Sequence, residues 1–191
     1  MKKNKWLVDP AHSEVYFKVK HLMITTVTGY FRKFNVEAYT EDDDLATISG
    51  IGFTANIDSI DTNNVQRDEH LKSSDFFNAH ENEHIKFVGL QYETFGNGGT
   101  LSGNLTIRGI TKLIIVNVEF GGIVVDGYGQ TKAGFTVNGK LSRKEFGLTW
   151  GSVTEAGNVV VGDEVKFFAE IQMIKQTQKQ SEKLVALENE E

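Results

Sequence analysis

Residues 58–77 read DSIDTNNVQRDEHLKSSDFF. This is a polar, helix-capable island in a chain that otherwise reads as strand after strand. On its N-terminal side, Val15, Phe17 and Val19 alternate with Tyr16, Lys18 and Lys20, which predicts a strand with one buried face. Val27–Ala38 and Ile48–Ile57 read as the next two strands, with an acidic turn at Glu41, Asp42, Asp43 and Asp44 between them.

On its C-terminal side, Ile85–Tyr92 is a strand. Gly96-Asn97-Gly98-Gly99 has the positive-φ chemistry of a hairpin turn. Strands follow on Leu101–Ile107, Ile114–Phe120, Phe135–Leu141 and Val165–Ile171, with a turn at Asp126-Gly127. About eight strands in meander order form an antiparallel sheet that closes into a barrel or folds into a sandwich. A barrel of about eight strands is wide enough to hold one slender ligand. Glycines inside strands, among them Gly103 and Gly139, fit sharp barrel curvature. The expected organisation is an all-β barrel domain over residues 1–175, a helical insertion at about 60–78, and a polar tail over 176–191.

Composition narrows the function. The 191 residues carry a net charge of −6, which disfavours a nucleic-acid partner. The absence of Cys removes disulfides, thiolate metal sites and Cys nucleophiles. The opening MKKNKWLVDPAH has no apolar run of signal-peptide type, and no stretch reaches the length of a transmembrane helix. The expectation is a cytoplasmic chain whose contact with membranes is transient. Thirteen Phe supply bulk for a core or line a cavity.

His80-Glu81-Asn82-Glu83-His84 spells H-E-x-x-H. In zinc hydrolases that pattern sets two His one helical turn apart, with the Glu acting on the metal-bound water. Here Asn82 is a poor helix former and the strand at Ile85 begins at once, so a polar loop entering a strand is the favoured reading. His12, His21, His70 and Arg67 have carboxylates near in sequence and could serve as acid/base groups. Without a nucleophile or cofactor motif, loop-pinning hydrogen bonds are the favoured role, and no cofactor is expected.

In order along the chain stand Trp6, DPAHS at Asp9–Ser13, Phe17 and His21, Val27-Thr28-Gly29 with Phe31, and SIDT at Ser59–Thr62. RDEHL at Arg67–Leu71 and DFF at Asp75–Phe77 follow. LTIRGITK at Leu105–Lys112, SRKEFGL at Ser142–Leu148 and VGDEV at Val161–Val165 complete the set. This series resembles the YceI family over residues 6 to 174. It departs from the family's usual pattern at HENEH and in its polar tail. The resemblance implies a non-enzymatic, lipocalin-like antiparallel eight-stranded barrel with a short helical insertion near one mouth. It also implies an apolar tunnel for a polyisoprenoid, isoprenoid quinone or fatty-acid derivative, and a homodimer.

The charged neighbours along each strand assign Phe17, Val19, Phe31, Phe87, Val116, Val118, Phe135, Val137 and Phe167 to the inward face. Phe76 and Phe77 would cover an opening from the insertion. Arg67, Asp68, His70, Arg143 and His12 are the polar residues of the family motifs. They are candidates for the tunnel mouth or for tethering the insertion to the barrel. Patterning alone favours a filled core, as in a stress-related interaction module, and the resemblance favours a hollow one.

Overall fold

Alternation along β8 (Gly98–Ile107) shows how the sequence makes its walls. Leu101, Gly103, Leu105 and Ile107 are buried while Ser102, Asn104 and Thr106 are half-exposed. The computed structural model describes residues 3–42, 44–151 and 160–176. Within them, eleven strand segments and one short helix make a closed, eight-stranded antiparallel barrel. The polar tail expected over 176–191 lies outside the described residues from position 177 onward.

Eleven segments give eight strands because three strands are interrupted. β1 (Lys3–Val8) and β2 (Glu14–His21) both run along β11 (Val161–Lys175), pairing Trp6 with Lys175 and Phe17 with Phe167. The break between them is a 3-10 turn at Pro10–His12, where Asp9 accepts a hydrogen bond from the Ala11 amide. Pro10 therefore sits where the chain has no ladder bond to donate. β3 (Thr25–Phe31) and β4 (Phe34–Glu41) run along β2 and β1 in turn. β5 (Asp44–Asn56) and the two-residue β6 (Ile60–Asp61) flank them.

The remaining strands are long hairpins. β7 (His84–Phe95), β8, β9 (Ile110–Val125), β10 (Thr131–Ser142) and β11 pair in sequence order, and β11 meets β1 and β2 to close the ring. Arg108 and Gly109 make the β8–β9 turn at φ 51° and 73°, as two-residue hairpins require. Asp126 fixes the β9–β10 turn by accepting hydrogen bonds from the Tyr128 and Gln130 amides.

The eight predicted strands all occur, with two differences. Val27–Ala38 breaks at Arg32 and Lys33, whose amides donate to the backbone oxygen and the hydroxyl of Ser59. The partner on that side changes there from β6 to β5. The N-terminal segment β1, not expected as a strand, buries Asn4 and Trp6 on one face.

The helical insertion contains α1 (Val65–Lys72). Its cap is Asn64, whose side chain accepts from the Arg67 amide at 2.9 Å. Phe76 and Phe77 follow the helix and are buried. The insertion folds over the barrel end where β5, β8 and β10 finish and β7, β9 and β11 begin. No helix among the described residues is long and apolar enough to cross a membrane.

Candidate functional site

The barrel is hollow. A chamber of about 250 Å³ lies under the helical insertion, and a second of about 270 Å³ opens toward the opposite end. Val36, Ile51, Leu101, Val137 and Ile171 border both, so the two chambers are stacked along one lumen. The wall of the first chamber is apolar almost throughout.

Of the residues assigned inward from the sequence, Phe17, Val19, Phe31, Phe87, Val116, Val137 and Phe167 line the chamber beneath the helix. Val118, Phe135 and Val137 line the opposite one. Phe17, Val19, Phe135, Val137 and Phe167 remain half-buried although they point inward, because their free faces border the lumen. Phe76 and Phe77 line the first chamber from the insertion, and Phe77 meets Phe31 edge-on at 6.3 Å.

A row of residues across four strands accounts for the open space. Gly139, Phe167, Phe17 and Gly29 stand side by side on the inner faces of β10, β11, β2 and β3. A methyl group on Gly29 would stand 2.3 Å from Phe17 Cζ, and one on Gly139 would stand 2.4 Å from Phe167 Cζ. The two phenylalanines thus lean apart, each over a glycine on its far side. Across the barrel Phe87 does the same over Gly103, at 2.3 Å. These glycines, expected to serve curvature, let aromatic rings lie along the wall instead of crossing the lumen.

The polar motif residues form the frame of the helical end. Asp68 is buried, and its Oδ1 accepts from the Thr62 amide at 2.9 Å and the Thr62 hydroxyl at 2.5 Å. Arg67 donates to the same threonine, from Nε to Oγ1 at 2.7 Å and from Nη2 to the carbonyl at 2.6 Å. His70 bonds Asp75 at 2.9 Å and stands edge-on between Phe76 and Trp150, at ring distances of 5.1 and 4.8 Å.

Arg143 is 4% exposed and borders the first chamber. Its guanidinium donates to the carbonyls of Gly162, Leu148, Trp150 and Val161 at 2.5 to 3.2 Å. Burial lowers its pKa from the ordinary arginine value, and the charge of Asp163 offsets part of that. A planar fork of donors suits a cluster of carbonyls better than an ammonium would.

His12 lies apart from both chambers, on the turn between β1 and β2. It bonds Asp9 at 2.9 Å, and Asp9 also accepts from Gln172 at 2.8 Å. Burial pushes the Asp9 carboxyl up, but the hydrogen bonds from His12, Gln172 and the Ala11 amide outweigh it and hold the group below the ordinary carboxylate value.

His80 and Glu81 sit in an exposed turn and His84 opens β7. The helix face that H-E-x-x-H needs is not formed, and Glu81 instead accepts from the Asn78 amide group at 2.7 Å. Among the described residues no group of three or more His, Cys, Asp or Glu converges as metal ligands do.

Several lining residues were not singled out from the sequence. Leu71 on α1, Ile51 and Phe53 on β5, Tyr92 on β7 and Ile171 on β11 all face the lumen. The strand residues among them carry the same period-two signal as those that were chosen. Leu71 follows the RDEH run directly, which was the available clue to an inward helix position.

The geometry agrees with known proteins. The UPF0312 protein of Staphylococcus epidermidis is 38% identical over 168 residues, covering 86% of this chain and 94% of its own. The crystal structure of the Campylobacter jejuni YCEI protein superposes with a TM-score of 0.72 at 30% identity, covering 83% of this chain and 90% of that one. A polyisoprenoid binding domain from Saccharophagus degradans shares the fold, with a TM-score of 0.65 at 11% identity over 90% of this chain and 98% of that one. With the YceI-like domain profile matching residues 6–173, the chain belongs to the YceI-like domain family.

Proposed function

We propose that the protein binds a long-chain apolar lipid in its lumen, for carriage or storage, without transforming it. The polyisoprenoid class is the first candidate, followed by isoprenoid quinones and fatty-acid derivatives. The observation that carries this reading is the opposed lean of Phe17 and Phe167 over Gly29 and Gly139. It leaves a slot through a barrel interior that close-packed side chains would otherwise fill.

The size and chemistry of the lumen fit such a guest. The two chambers together fall within the roughly 300–1,000 Å³ range of small-molecule sites. Each methylene moved from water into such a wall contributes about 0.8 kcal/mol, so a few isoprene units drive binding without polar contacts. The S. degradans domain, of the same fold, is a polyisoprenoid binding domain, which supports the choice of ligand class. The tethering of Arg67, Asp68 and Arg143 to backbone and to Thr62 favours a framing role for these residues over a catalytic one.

The test is organic extraction of the purified protein followed by mass spectrometry. A prenyl or other long-chain lipid in near-stoichiometric amount is the expected result. Protein that is repeatedly recovered empty and takes up no added prenyl alcohol would overturn the reading.

A further inference from the structure

The outer wall behind the Phe17–Phe167 row carries an arrangement that the lumen does not explain. Lys140, Lys166 and Lys18 stand directly opposite one another on β10, β11 and β2, all exposed. Like charges directly opposite in a sheet destabilise it. Glu164 pairs with Lys140 at 3.2 Å, but Lys166 and Lys18 have no carboxylate within ion-pair distance among the described residues. Lys18 instead rests over the rings of Phe168 and Tyr16, at 5.3 and 5.6 Å. Lys20 adds a fourth exposed cation on the same face, nearer the helical end.

Apart from Glu164, which is paired with Lys140, and Asp163, which accepts from the Ser142 hydroxyl, the negative charge of this wall lies further from that end. Glu170 and Glu14 face each other on β11 and β2, and Glu119 stands beside Thr136 in the next ladder. In a chain of net charge −6, this wall is therefore split along the barrel axis. The Lys166–Lys18 pair lies toward the insertion, and the Glu170–Glu14 pair lies four residues, roughly 13 Å, further from it.

Beyond Lys20 the β2–β3 hairpin ends in Leu22, Met23 and Ile24. Met23 and Ile24 are 61% and 78% exposed. Leu22 and Met23 hold φ of 50° and 59°, a region that bulky residues rarely enter and that Gly or Asn would fill at lower cost. The Leu22 amide donates to the carbonyl of Val160 at 2.9 Å, and the adjacent Val161 and Val19 line the chamber under the insertion. An exposed, strained, apolar tip thus sits at the rim of the apolar chamber.

We infer that this rim docks on an anionic lipid bilayer, with Met23 and Ile24 entering the headgroup layer and Lys20, Lys18 and Lys166 facing the anionic surface. The inference extends the lipid-binding reading and rests on it, by giving the mouth a source from which to take its guest. Charge complementarity selects the partner. Basic residues beside an apolar tip suit a negatively charged leaflet, and the Glu14–Glu170 pair is held away from it. At about 3.3 Å per residue Lys20 lies roughly 10 Å from Met23, about one Debye length at 0.1 M salt, and Lys18 roughly 16 Å, inside the Debye length of about 30 Å at 0.01 M.

Co-sedimentation of the full chain with vesicles tests this. One set is phosphatidylcholine alone and the other an equimolar mixture of phosphatidylcholine and phosphatidylglycerol. The expected result is binding to the anionic vesicles at about 0.01 M salt that falls steeply as salt rises. The double variant K18Q/K166Q loses roughly 10–30-fold of that binding, and M23S/I24S loses binding to both vesicle types. Circular dichroism and uptake of a prenyl alcohol from detergent are measured on each variant. Equal binding to both vesicle types, or anionic binding that both folded variants retain, would overturn the inference. So would absence of vesicle binding by protein that takes up prenyl alcohol from detergent, an outcome that leaves the lumen reading intact. Failure of uptake from detergent, by contrast, counts against the lumen reading.

Discussion

Phe17 leans over Gly29 on the neighbouring strand, so closely that a methyl group there would stand 2.3 Å from the ring. Gly29→Ala therefore forces the ring toward the lumen or off its rotamer. Such overpacking costs about 1–3 kcal/mol. Denaturant unfolding of Gly29→Ala and of Gly139→Ala is expected to show that loss, with prenyl-chain affinity reduced about tenfold as the slot narrows by the equivalent of one to two methylenes. Phe17→Leu combined with Gly29→Ala recovers much of the stability. The two changes are coupled because the residues touch. Additive effects would mean that the ring and the glycine do not share space.

Much of this architecture was legible in the sequence, and the failures have physical causes. The alternation of Phe135, Val137, Gly139 and Leu141 announced an inward face, and the polar, helix-capable run from Asp58 to Phe77 announced the insertion. The break at Arg32 and Lys33 was not legible, because local periodicity does not record a change of partner across the sheet. β1 escaped notice because one of its buried positions is Asn4, which hides the period. The hollow was the least legible feature. A Phe-Gly row reads the same whether the ring stands up into a core or lies along a wall, and only the cross-strand register decides. Likewise the motif residues Arg67, Asp68 and Arg143 were visible as candidates, but their attachment to Thr62 and to backbone carbonyls depends on the fold.

Arg143 satisfies four carbonyls from a buried position. Arg143→Met leaves these acceptors to find other donors in a site closed to water, with an expected loss on the order of 3 kcal/mol. Arg143→Lys recovers only part, because a single ammonium cannot reproduce the fork. Urea unfolding of the two variants checks the order wild type, Lys, Met. Equal midpoints for all three would show that the contacts contribute nothing.

Asp68 holds the insertion by accepting two hydrogen bonds from Thr62. Asp68→Asn keeps an oxygen that can accept both but removes the charge that strengthens them, and a loss of about 1–3 kcal/mol follows. The effect is expected to be local, appearing as faster amide exchange across Thr62–Lys72 with the strands β8 to β10 unchanged. Uniformly faster exchange through the barrel would contradict a role confined to the insertion.

The depressed pKa of Asp9 makes a pH prediction. A carboxyl whose folded value lies below its unfolded one stabilises the fold fully above the unfolded value, about 3.9 for Asp. The contribution is lost as pH falls through the folded value. Asp9→Asn is expected to melt a few degrees below wild type at neutral pH, at about 2–4 °C per kcal/mol for a chain of this size. The gap should close below about pH 3.9. Melting curves recorded across acid pH check this, and a constant gap would assign the effect to packing rather than to charge.

The central claim is a hollow through the barrel that admits a slender apolar chain. A crystal structure of the protein loaded with a linear prenyl alcohol tests it most directly. The account predicts tubular density entering beneath Phe76 and Phe77, passing between Phe17 and Phe167, and ending near Tyr92 and Phe135. Density showing those rings interlocked across the barrel axis, with the added lipid bound elsewhere or not at all, would contradict it.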